Sequence, residues 1–102
     1  MNIAKLMKQA QRMQADMAKV QAEVAQLEQT AQAGGGAVTV TALGNGTLKS
    51  VTIDKDLLAA GDADMLQDMI LVAANNALES VKKEADARMS GVTAGLQMPG
   101  LF

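Results

Sequence analysis

A chain of 102 residues with nine Lys and Arg against eleven Asp and Glu carries a net charge of −2, and it contains no Cys, His, Trp or Tyr. Those absences remove the usual zinc ligands, the usual general base, the thiol nucleophile and any disulfide framework. With one Phe there is also no aromatic platform on which unpaired bases would stack.

The length fits a single domain spanning residues 1–102, and 19 of its apolar residues are alanine, a helical composition with little bulk for a private core. Self-association is therefore expected. The amino terminus lacks the apolar run of a secretory signal, and no window approaches the roughly 20 apolar residues that cross a bilayer. A soluble, cytoplasmic protein is expected.

From Ile3 the apolar or small residues recur at Leu6, Ala10, Met13, Met17, Val20, Val24, Leu27 and Ala31, in alternating steps of three and four. This heptad spacing predicts one helix over residues 1–33, ending at Gly34-Gly35-Gly36. Its charge is lopsided: residues 1–22 carry Lys5, Lys8, Arg12 and Lys19 against Asp16 alone. At 100° per residue those four cations fall within about 60° of one another, away from the apolar seam. Such a stripe suits the phosphates of duplex DNA, with Gln9, Gln11 and Gln14 nearby for polar contacts. The blander reading is a solvated face whose cations pair at i+4, Arg12 with Asp16 and Lys19 with Glu23.

Residues 37–43, AVTVTAL, alternate with period two and carry β-branched residues, and TLKSVTID follows after Gly44-Asn45-Gly46. The pattern predicts a β-hairpin over 37–54 with Val38, Val40, Val51 and Ile53 on its buried face. Whether a third strand precedes Ala37 stays open. Asp54, Asp56, Asp62, Asp64 and Asp68 concentrate the acidity in the segment that follows. Asp54 and Asp56 fit a loop and helix start better than a catalytic carboxylate pair or cation site, and Asp64 with Gln67 resembles a capping box. A second helix is predicted over 64–89, with Leu66, Met69, Ile70, Ala73, Ala77, Val81 and Ala85 inward. Residues 90–102, with three Gly and the one Pro, are expected to be a disordered tail.

KLMKQAQRMQ at the start, the GGG-AVTVTALGNGTLKSVTID hairpin, LLAAGDADMLQDMILVAANNALESVKKE and the closing GLQMPGLF together resemble the YbaB/EbfC family of bacterial nucleoid-associated proteins. The resemblance implies an α+β protomer: a long N-terminal helix, a short antiparallel sheet and a long C-terminal helix, associated as a homodimer. Family dimers are described as tweezer-like, with projecting helices proposed to grip duplex DNA, and membership implies a nucleoid location and influence on gene expression. On the matching positions Lys5, Lys8 and Arg12 are the expected DNA contacts, with Lys19, Lys82, Lys83 and Arg88 as further candidates. Lys55 stands where many members have proline. No catalytic residue, cofactor, metal, small-molecule substrate or membrane partner is expected. The alternative is a coiled-coil adaptor whose heptad seam recruits a replication or repair protein, with little direct DNA binding.

Overall fold

A computed structural model describes residues 2–96. The elements run α1 (Ile3–Ala25), β1 (Glu28–Ala33), β2 (Val38–Leu43), β3 (Leu48–Ile53), α2 (Lys55–Ala59) and α3 (Ala63–Leu96). The three strands form one antiparallel sheet in the order β1-β2-β3. The architecture is the expected α+β arrangement, with the third strand present.

That strand corrects the expected helix over 1–33. Helix α1 ends at Ala25, with the Gln26 N–H turning back to the carbonyls of Glu23 and Val24, and Glu28–Ala33 pairs residue for residue with Leu43–Val38. The sequence EQTAQA favours helix intrinsically, but as a strand it satisfies the edge of β2 and places Gln29, Ala31 and Ala33 inward. Ala31 fits a heptad and a two-residue alternation equally, so periodicity did not separate the two. The three glycines are consequently a hairpin turn rather than a helix stop. All three have positive φ (64°, 69° and 99°), a run that residues with a Cβ rarely adopt.

Strand β2 is central and supplies Val38, Val40 and Ala42 to the core. Across from them α3 offers Ala73, Ala77 and Val81, and these six are the buried hydrophobic residues among those described. Small side chains at Ala73 and Ala77 let the helix backbone approach the sheet closely. Ser80 Oγ donates to Gln29 Oε1 at 3.3 Å, and Met69 lies against Gly34, so α3 runs antiparallel to β1. Leu27, Leu66, Met69, Ile70 and Leu78 close the rim of this core.

Helix α3 covers β1 and β2 and barely reaches β3. Val51, paired directly with Val40, is therefore 44% exposed instead of buried as expected, while Ile53 is half-buried. At the head of α3 the cap is Asp62 rather than Asp64: its carboxylate accepts from Met65 N at 3.0 Å. Asp54 similarly caps α2 by accepting from Asp56 N at 3.2 Å. Helix α3 also continues to Leu96, beyond the expected end at Met89 and into the segment expected to be disordered. The remainder of that expected tail, 97–102, lies outside the described residues.

The radius of gyration is 20.3 Å, with extents of 72 × 21 × 16 Å. A compact chain of this length would have a radius of about 13 Å. Two helices, of 23 and 34 residues, are too long for the small sheet and run past it. The close helix–sheet approach predicts that Ala77→Leu overpacks the core and costs about 1–3 kcal/mol. A urea titration followed by circular dichroism should show a lower midpoint at unchanged slope.

Candidate nucleic-acid interface

Helix α1 buries none of its residues. The Asn2 side chain caps it by accepting from Lys5 N at 3.2 Å, which satisfies one of the free amides of the first turn. Sequence reasoning passed over Asn2, although an Asn just before the first periodic apolar residue is a recognised start signal. From its last turn, beside the Glu28 end of β1, α1 runs back against α3. Met17, Val20 and Val24 are half-buried, as are Ala85 and Met89 of α3. Toward the tip that cover stops, leaving Ile3 68% and Leu6 49% exposed. The heptad seam thus packs over its C-terminal half only.

Lys5, Lys8, Arg12 and Lys19 are all exposed. Among the described residues the ion pairs are Lys49–Glu28, Lys83–Glu79 at 3.5 Å and Arg88–Glu84 at 3.2 Å. Neither i+4 pair expected on α1, Arg12 with Asp16 or Lys19 with Glu23, forms. Among the described residues none of the four α1 cations has an ion-pair partner. The candidates on α3 divide: Lys82 is exposed and outside any of these pairs, whereas Lys83 and Arg88 are engaged one turn back on their own helix. Exposed pairs of this kind hold by at most about 1 kcal/mol, so a stronger anion would displace them.

The sheet separates the charges. Its register puts Glu28, Leu43 and Leu48 at one end and Ala33, Val38 and Ile53 at the other. Helix α1 joins the first end, and the aspartate segment 54–68 begins at the second, where Asp54 N donates to Ala37 O at 2.8 Å. The excess negative charge therefore starts a full strand length from the root of the basic helix. No described helix is long and apolar enough to cross a membrane.

A basic, unpaired face on a projecting helix is a geometry suited to a polyanion. The family described as "YbaB/EbfC DNA-binding family" matches residues 1–96. The chain belongs to that family. Over 102 residues it is 50% identical to a nucleoid-associated protein of Clostridium novyi (strain NT), covering 100% of this chain and 90% of that one. It is 47% identical to a nucleoid-associated protein of Acetivibrio thermocellus, covering 99% and 90% respectively. In fold, this YbaB/EbfC chain is similar to the crystal structure of an uncharacterized protein from Helicobacter pylori, with a TM-score of 0.75 at 22% identity over 91% of this chain and 98% of that one.

The cap at Asn2 positions the first turn of the YbaB/EbfC arm and with it Lys5. Asn2→Ala should fray that turn at a cost of about 1 kcal/mol. Faster amide exchange at Lys5 and Leu6, with exchange in β2 unchanged, is the expected readout.

Proposed function

We propose that this protein acts as a nucleoid-associated protein, a homodimer that holds duplex DNA between the basic faces of its two α1 helices and so organises the chromosome. The carrying observation is the unpaired stripe Lys5, Lys8, Arg12 and Lys19 on a helix none of whose residues is fully buried. Positive charge displayed on a rod reads phosphates along a duplex and not base edges, which gives binding with little sequence preference and strong salt dependence. Lys82 adds to the same field, and Lys83 and Arg88 join it once DNA competes with their glutamates. Gene expression is affected through occupancy of the chromosome, and the site of action is the nucleoid.

Two observations support a homodimer. The chain exposes 7346 Å², against about 5,500 Å² for a compact monomer of its mass. A standard interface would cover roughly 800 Å² on each copy. Val51 on β3, and Leu71 and Val72 on α3, are exposed apolar side chains that offer surface for it. A single stripe of four cations gives few phosphate contacts, and joining two stripes raises the effective affinity steeply. No specific observation favours the adaptor reading.

The test is fluorescence anisotropy of a labelled duplex of about 30 base pairs at several salt concentrations. If Lys5, Lys8 and Arg12 of both chains engage, log K against log salt should fall with a slope on the order of −5. Changing all three to Glu should weaken binding at least about 100-fold while light scattering still reports a dimer. Unchanged binding in that variant, or no wild-type binding at low salt, overturns the arm mechanism.

A further inference from the structure

We propose that Gly44 is a positioning residue that sets the angle at which the basic arm leaves the sheet. The inference rests on the reading of α1 as the DNA-binding arm, but its geometry stands apart from any charge. Gly44 lies in the loop between β2 and β3, where Asn45 Oδ1 accepts from both the backbone N and the hydroxyl of Thr47, at 3.0 and 2.6 Å. Leu43 N donates to Thr47 O at 2.8 Å and Gly46 N to Leu43 O at 3.0 Å, so the loop is closed on itself. It presents a fixed surface.

The last turn of α1 rests on that surface. Gly44 N donates to Leu27 O at 2.9 Å, which adds one rung beyond the Glu28–Leu43 pair and ties the helix-to-strand joint to the loop. The Val24 carbonyl packs directly over the Gly44 Cα. A Cβ at Gly44 would overlap Val24 O, fall 2.8 Å from Val24 C and meet Leu27 Cβ at 3.4 Å. The obstructing atoms are helix backbone, which cannot swing aside as a side chain does. Gly44 does not have a positive φ, so its requirement for glycine comes from the contact and not from its own backbone conformation.

Only Gln26 and Leu27 separate α1 from β1, and no residue of the shaft is fully buried, Met17, Val20 and Val24 being half-buried. The direction of α1 is therefore decided at its root and by the partial contact with α3. Lys5 sits about 28 Å from Val24 along the helix axis. A tilt of about 10° at the root carries Lys5 by about 5 Å, more than the roughly 3.4 Å of axial rise per phosphate on one strand. A methyl group at Gly44 is thus enough to take the stripe out of register with DNA without changing any charge.

The chain lacks cysteine, so the test uses Ala4→Cys with Ser50→Cys, one on the arm and one on β3, both exposed, spin-labelled and diluted with excess unlabelled protein. Pulsed electron resonance then reads the arm-to-sheet distance, which a purely stabilising role for Gly44 would not move. In the Gly44→Ala background the distance should shift by about 5 Å, and the unlabelled Gly44→Ala protein should bind the duplex about 10-fold more weakly. Gly91→Ala is the control: Gly91 has no positive φ and open space around it, and the change should alter neither readout. A folded Gly44→Ala protein with the wild-type distance overturns the proposal. If the distance shifts but wild type itself fails to bind DNA, Gly44 keeps its positioning role and the DNA reading of the arm falls instead. Where Gly44→Ala does not fold, Gln26→Gly loosens the same joint. A broadened distance distribution then supports root control of the arm, and an unchanged narrow one overturns it.

Discussion

The contact of Ala73 and Ala77 with Val38, Val40 and Ala42 is the constraint on which the rest of the molecule depends. A chain this rich in alanine cannot fill a wide gap between helix and sheet, so stability requires a close approach with little side-chain volume between the layers. That choice fixes α3 along β1 and β2 and leaves β3 mostly without cover. The same economy frees α1, since no large apolar side chain of that helix is needed in the core. Reach and small core are thus two aspects of one composition.

Electrostatics follow the same division of labour. The aspartates that make the chain acidic overall do local work: Asp54 and Asp62 satisfy helix starts on the side of the sheet remote from the arm. On α3, Glu79 and Glu84 occupy Lys83 and Arg88, whereas the cations of α1 have no such partner. Net charge therefore misleads about partners here, because it averages two ends of an elongated molecule separated by more than a screening length of about 8 Å.

Much of this was legible from residues alone. The alternation in VTVTAL and the three-to-four spacing from Leu66 to Val81 each match one secondary structure only, and a strand and a helix cover those residues. Residues 28–33 were not legible, because Glu, Gln and Ala prefer helix in isolation and became a strand through pairing with β2, a long-range effect. The cation stripe was visible as spacing, but its lack of ion pairs was not, since that depends on how the side chains of Asp16 and Glu23 lie. Gly44 looked like an ordinary turn residue; the carbonyl it must accommodate belongs to a residue 20 positions earlier in the chain.

The half-covered sheet also bears on symmetry. Its open flank and its far edge are different surfaces, so a contact between unlike faces would build a ring or an open filament, whereas flank against the identical flank closes at two copies. A closed pair relates its arms by a two-fold axis. Duplex DNA, apart from its base sequence, has two-fold axes perpendicular to the helix at every base pair and between them. Two identical arms on such a pair would meet two antiparallel strands in equivalent ways at any point along the double helix, so that geometry as well as charge would favour indifference to sequence.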